Sequence, residues 1–411
     1  MLLSDPAQLA AWLRAHDATV GAATARVDAA TAARMQAGVL PNPELQIAYG
    51  GFVVGGGNAG NMQVDTIGNT TNLTAGVSEM FELGKRGPRT HAAAMRIESA
   101  REDLVGALGA RIGDAIAAIG KVAYLSARHD TLAVNLDAQK KILALEKIRL
   151  DHKDLSGDDY ARLELETERL ELDVARADAD LHEATVACEA ALRAPCMTPG
   201  LGEDALEHGA PLPDAGDVDQ AIAARATFAS SRDQQAALGF DADLARARKI
   251  PDPTFGVAFT HDNLTAAGNE PNTMLFSVSI PLPVFDRGDH DAAAAEAEAH
   301  ALASEEQAET REARGTVDAL LAQKQYLETE IERLSTVSIP KSDTILADTH
   351  KAFDLGQDDL SDLILAERAH RELILELLDA RYDLFTARAG LRQALGLDDA
   401  IARAASGGRS E

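Results

Sequence analysis

The sequence predicts a mainly α-helical protein with a small β part, built as a duplicated unit of helix, β-hairpin and long coiled-coil helix pair. Three observations predict it. Landmarks recur in the same order: Pro41-Asn42-Pro43 as Pro251-Asp252-Pro253, Arg86-Gly87 as Arg287-Gly288, and Asp154-Leu155-Ser156-Gly157-Asp158-Asp159 as Asp354-Leu355-Gly356-Gln357-Asp358-Asp359, at offsets of 210, 201 and 200. Arg89 to Ala194 holds no proline. Four short runs lying between the proline and Arg-Gly landmarks alternate bulky apolar residues with small or polar ones.

The duplication divides the 411 residues into a first repeat over 1–197, a linker over 198–216, a second repeat over 217–400 and a disordered tail over 401–411. In the first repeat a hairpin is expected at about 44–80 and coiled-coil helices at about 88–194. In the second, the hairpin falls at about 253–281 and the helices at about 289–396. The first helix pair, about 65 and 35 residues long, turns near Ser156-Gly157. At 1.5 Å per residue the longer member spans about 95 Å, far beyond a usual globular helix. Pro340 should kink or interrupt the corresponding helix of the second repeat.

The returning helices carry heptads. Leu170, Val174, Ala177, Leu181, Ala184, Cys188 and Ala191 match Leu373, Leu377, Ala380, Leu384, Ala387, Leu391 and Ala394 at a constant offset of 203. Spacings of 4, 3, 4, 3 are those of knobs-into-holes packing. Cys188 stands where the second repeat has Leu391, so it reads as a small buried hydrophobe rather than a reactive thiol. With Cys196 it makes only two cysteines, too few for a disulfide framework.

In the strand-like runs, Leu45, Ile47 and Tyr49; Leu73, Ala75 and Val77; Phe255, Val257 and Phe259; and Met274, Phe276, Val278 and Ile280 recur at period two. Two separated hairpins cannot cover both faces of a sheet. The apolar face therefore requires lipid or another chain. Loops Gly55 to Gly68 and Asn263 to Pro271, rich in Gly, Asn and Thr, read as mobile and exposed.

Composition excludes several functions. A net charge of -27 argues against nucleic acid, whose phosphates need a basic face, and favours cations instead. No apolar run reaches the length of a transmembrane helix, a test that β-strands escape. The opening Met1-Leu2-Leu3-Ser4-Asp5-Pro6 does not read as a signal peptide. Gly55-Gly56-Gly57-Asn58-Ala59-Gly60 fits a phosphate-loop spelling, but Asn61 to Thr66 does not open a helix, so it reads as a loop. His152 and His350 lie near the helix turns without metal-ligand spacing. No catalytic constellation is visible, so neither an enzyme nor a cofactor is expected.

The acidic turns are the functional candidates. Asp158 or Asp159 is expected to cap the returning helix. Capping leaves acids over at both turns: Asp154 and Asp158 or Asp159 in the first, and several of Asp354, Asp358, Asp359 and Asp362 in the second. Repeated around a symmetric assembly they would form a cation-favouring ring.

The tandem Pro-x-Pro, the Arg-Gly and the glycine-containing turns, in this order and duplicated over about residues 5 to 397, resemble the TolC-like outer-membrane efflux factor family. The resemblance implies a homotrimer whose twelve strands form one transmembrane β-barrel in the outer membrane. An α-helical barrel would continue it through the periplasm. It also implies a periplasmic adaptor and an inner-membrane pump as partners. Asp154, Leu155, Ser156, Gly157, Asp354, Leu355 and Gly356 would be adaptor-docking tips, and Asp158, Asp159, Asp358, Asp359 and Asp362 pore or gate acids. The acid-rich tips lean towards the heavy-metal cation branch. A duct for drug efflux or type I secretion is one alternative, and a soluble coiled-coil scaffold is another.

Overall fold

A computed structural model of the chain describes residues 6–50, 72–196, 206–207, 211–212, 216–262 and 271–406. The elements run α1 (Pro6–His16), α2 (Ala18–Ala37), β1 (Glu44–Gly50), β2 (Asn72–Met80), α3 (Arg86–Asp151), α4 (Gly157–Leu192), α5 (Val218–Ala223) and α6 (Ala226–Ala247). They continue with β3 (Thr254–Asp262), β4 (Asn272–Ser279), α7 (Asp289–Arg333), a π-helical turn (Leu334–Ser338), α8 (Ile339–Asp354), α9 (Leu360–Ala394) and α10 (Leu397–Ala405). The predicted loop at Gly55 to Gly68 lies outside the described residues, as does most of that at Asn263 to Pro271.

The chain forms two compact units. One comprises 1–25, 101–230 and 306–411; the other comprises 26–100 and 231–305. Both repeats are cut at matching places, so each repeat contributes its hairpin and flanking segments to the second unit.

In the first unit the heptads bury their stripe. Leu170, Ala177, Ala184 and Cys188 on α4, and Ala380, Leu384, Ala387, Leu391 and Ala394 on α9, are buried. The largest cluster joins Leu9 and Leu13 of α1 to Leu108 and Ile112 of α3, Leu192 of α4 and Phe385 of α9. Phe385 lies directly over Gly120: a Cβ there would overlap the ring, so this helix crossing depends on a missing side chain. Asp17, between α1 and α2, is buried. Burial pushes its carboxyl up, but the Val20 and Thr19 N–H groups and Arg111 outweigh this and hold it below the usual carboxylate range.

Two expectations, on the cysteines and on the tail, are corrected here. Cys188 and Cys196 form a disulfide, Cα to Cα 5.9 Å, which fastens the chain leaving α4 back onto that helix. Two cysteines make no framework, but their eight-residue spacing across a helix end permits one staple. Within the linker Leu206 is buried in the main cluster, and Arg392 donates to the Pro211 carbonyl at 2.8 Å. The tail is helical to Ala405 because its apolar face packs, Ala402 being fully buried, while 407–411 lie outside the described residues. Pro340 does interrupt its helix as expected: α7 stops at Arg333, a π-helical turn follows, and Pro340 occupies the first turn of α8. A proline lacks the N–H and crowds the carbonyl four residues back, and a widened turn relieves both.

In the second unit the two hairpins are not separate. β2 pairs with β3, giving one antiparallel four-stranded sheet in the order β1-β2-β3-β4. Its base ties the repeated landmarks together. Asp252 of the second Pro-x-Pro accepts from the Leu83 N–H at 2.9 Å and pairs with Lys85 at 2.6 Å. The glycines at the two strand-to-helix turns are Gly84 and Gly288, both at φ 73°. The sequence landmark had matched Gly288 with Gly87, but Gly87 is already inside α3 and needs no left-handed conformation.

Candidate functional site: an outward-facing apolar sheet and two acidic helix tips

Register sorts the sheet into two faces. Leu45, Val77, Val257 and Phe276 form one continuous cross-strand row, and Ile47, Ala75, Phe259 and Met274 form the next. The opposite face carries Gln46, Gly76, Ala258 and Leu275, then Ala48, Thr74, Thr260 and Thr273. On this second face the Thr74 and Thr260 hydroxyls meet at 2.9 Å. Along β2 and β3 the apolar positions are the exposed ones, and the small or polar positions are half-buried. Leu45 is 71% and Phe276 73% exposed. A water-soluble sheet does the reverse. This polarity, apolar outwards and small-polar inwards, is that of a membrane barrel wall. At the base, Phe81 packs edge-on to Phe255, ring centres 5.3 Å apart, and its N–H donates to the Pro253 carbonyl at 2.9 Å. Among the described residues, β1 and β4 each pair with one strand only.

Both tips lie in the first unit. α3 ends with Lys153 in the left-handed region (φ 67°), the Lys153 N–H bonding to Leu150 O and the Asp154 N–H to Arg149 O. α8 ends the same way: Gly356 has φ 70°, its N–H bonds to Phe353 O, and the Gln357 N–H bonds to Ala352 O. This is a paired C-terminal closure. Ser156 then caps α4, accepting from the Asp159 N–H at 3.1 Å while its hydroxyl donates to the Asp159 carboxylate at 2.8 Å. Asp359 caps α9, accepting from the Asp362 N–H at 3.0 Å.

These bonds correct the sequence alignment of the tips. Ser156 corresponds to Asp359, and Asp159 to Asp362, so the true offset is 203, as in the heptads, not 200. The N-cap of α4 is therefore Ser156, not Asp158 or Asp159, because the cap is chosen by which side chain reaches back to the third N–H. Gly157 is the first residue of α4 and not a left-handed turn. Asp154, Asp158, Asp354 and Asp358 are exposed and take no part in capping. The two tips meet through an apolar cluster of Leu163, Phe353, Leu360 and Leu363, against which Leu155 is half-buried. Leu355, in contrast, is 65% exposed. Among the described residues no group of acids, histidines or cysteines converges to hold a metal.

Behind the tips is a charged layer that sequence reasoning missed. Glu166 of α4 accepts from Arg371 of α9 at 3.1 Å and also pairs with Arg368. Burial raises the Glu166 carboxyl, but the two guanidiniums prevail and hold it low. His350 of α8 reaches Glu367 of α9 at 3.2 Å. Burial nevertheless pushes Glu367 up. The two arginines follow one another at three-residue spacing on α9, but their shared partner is some 200 residues away, and no local signal announces it.

An outward apolar sheet together with paired long helices in one chain is the fold of TolC-like channels. Residues 218–397 match the family described as Outer membrane efflux protein. The chain is 27% identical over 375 residues to the cobalt-zinc-cadmium resistance protein CzcC of Cupriavidus metallidurans, covering 90% of this chain and 81% of that protein. The fold is similar to CusC, with a TM-score of 0.78 at 17% identity over 96% of this chain and 92% of that one. It is similar to the outer-membrane channel OprN, with a TM-score of 0.77 at 17% identity over 96% and 91%. The family match thus falls on the second repeat, and the fold of the chain is that of these solved channels.

Proposed function

We propose that three copies of this chain close a twelve-stranded barrel in the outer membrane, and that their helices form a periplasmic tube docking at its tips onto an adaptor and inner-membrane pump. The single observation that carries this is the inverted sheet, whose exposed apolar rows need lipid and whose two outer strands need further partners. The Cys188–Cys196 disulfide supports an oxidising compartment such as the periplasm. The cargo is heavy-metal cations. The similarity to CzcC supports that class, as do the uncapped acids Asp154, Asp158, Asp354 and Asp358 at the tips. Leu355 and Gly356, exposed at the end of α8, are the docking elements, with Asp154, Leu155, Ser156, Gly157 and Asp354 around them.

Single-channel recording in planar bilayers tests the reading. Wild type conducts with cation preference, and replacing Asp158, Asp159, Asp358, Asp359 and Asp362 by Asn lowers that preference. Unchanged selectivity reduces these acids to helix-end chemistry. A detergent-solubilised protein that is monomeric and forms no pores overturns the duct itself.

A further inference from the structure

The internal duplication specifies how one copy pairs with the next. Resting on the trimeric-barrel reading, we infer that β4 of one protomer pairs with β1 of its neighbour in one particular register, in which Ser277 faces Ala48, Val278 faces Ile47 and Ile280 faces Leu45.

The argument starts from the two hairpins. Glu44 pairs with Ser78 and Leu45 with Val77; in the second copy Thr254 pairs with Ser279 and Phe255 with Val278. β1 therefore maps onto β3 by the Pro-x-Pro offset of 210, and the matching hairpin registers then map β2 onto β4 by an offset of 201. The junction between the repeats, β2 with β3, is present within the chain: Val77 faces Val257 and Ala75 faces Phe259. A ring of repeats alternates this junction with the one between chains. If every repeat meets the next in the same way, β4 stands for β2 and β1 for β3. Mapping Val77–Val257 then gives Val278–Ile47, and mapping Gly76–Ala258 gives Ser277–Ala48.

Two independent checks support this register. First, it keeps the faces: Phe276, Val278 and Ile280 meet Tyr49, Ile47 and Leu45 on the apolar side, while Leu275, Ser277 and Ser279 meet Gly50, Ala48 and Gln46 on the inner side. A one-residue slip would invert every pair. Second, it closes. A row entered at Leu45 passes Val77, Val257 and Phe276 and re-enters the next copy at Tyr49, about four residues further along β1. Three such steps climb roughly 40 Å at about 3.3 Å per residue, against a girth of roughly 58 Å for twelve strands about 4.8 Å apart. The resulting strand tilt is about 35°, inside the range of about 35–45° for outer-membrane barrels. A register shortened by two residues halves the climb and leaves the strands too upright.

The junction also accounts for the base of β4. Phe81, after β2, packs on Phe255 of β3. Its strand-register counterpart after β4 is Leu282, and the counterpart of Phe255 is Leu45. Leu282 is 77% exposed in the single chain, and the neighbour's β1 supplies the surface that covers it.

Paired cysteines read the register directly. Ala48→Cys with Ser277→Cys is compared with Ala48→Cys with Leu275→Cys and with Ser279→Cys, each displaced by two residues, in membranes under mild oxidation. The native cysteines already pair with each other, so wild type is the blank. The expected result is reducible dimers and trimers on denaturing gels for the 48/277 pair, at least tenfold above either displaced pair. Stronger linking by a displaced pair, or none by any pair in a protein that light scattering finds trimeric, overturns the register and leaves the duct standing. A monomer with no linking overturns the duct reading beneath it.

Discussion

Lys153 and Gly356 hold the same left-handed backbone position at the ends of the two outgoing helices, at φ 67° and 70°. Only one of them is a glycine. A side chain in this region costs about 1–2 kcal/mol. Lys153→Gly is therefore expected to raise the thermal midpoint and Gly356→Ala to lower it by about 1 kcal/mol of stability. Thermal melts followed by circular dichroism check both signs, and equal effects would mean that the two tips tolerate strain alike.

Capping and charge separate at the tips. Ser156→Ala and Asp359→Ala each remove the acceptor for a first-turn N–H, a loss of about 1 kcal/mol. Asp359→Asn keeps a competent cap and should be neutral in melting. Substitution by Asn in conductance work thus changes charge without loosening the helix. A destabilised Asp359→Asn protein would contradict the cap geometry.

Gly120 lies against the Phe385 ring with no room for a Cβ. Gly120→Ala should cost about 1–3 kcal/mol through forced displacement of the α3–α9 crossing. Adding Phe385→Leu should recover part of that loss. The same midpoint measurement on both variants decides, since a contact without consequence predicts no recovery.

Tyr124 of α3 donates to Asp379 of α9 at 2.6 Å and stacks on Tyr382. Burial first, then the Asp379 carboxylate, pushes the phenol up to about 12 against the opposing Arg128. The folded state favours the neutral form, so the stabilisation is complete below pH 10. It is lost as pH rises from about 10 towards 12. Urea midpoints for wild type should fall across that window. Tyr124→Phe should flatten the fall, leaving the smaller contribution of Tyr382, whose phenol is also raised.

The legible parts of this molecule are those with a short period. The spacing of Leu170, Ala177 and Ala184 is a property of neighbouring residues, and so is the alternation of Phe255, Val257 and Phe259; both faces emerged where the pattern put them. Contacts between distant residues were not legible. Nothing near Cys188 distinguishes a buried thiol from a disulfide partner eight residues on. Nothing in the text of β2 announces that β3 adjoins it. The left-handed Lys153 has no sequence mark, because lysine rarely stands there; without it the tips were aligned three residues out of step. The division of the tip acids into caps and free charges needed the N–H directions.

The β2–β3 junction sets a timetable. The helix pairs close over short stretches of chain, whereas Met80 must find Thr254 across the whole of α3, α4, α5 and α6. Non-local pairing of this kind is slow, because the loop is closed before the contact returns anything. The sheet therefore forms after the local pairs of α3 with α4 and of α8 with α9. Until neighbours arrive, its greasy rows and open strand edges invite aggregation. On the proposed trimer, the hazardous interval in this protein's life comes between synthesis and assembly.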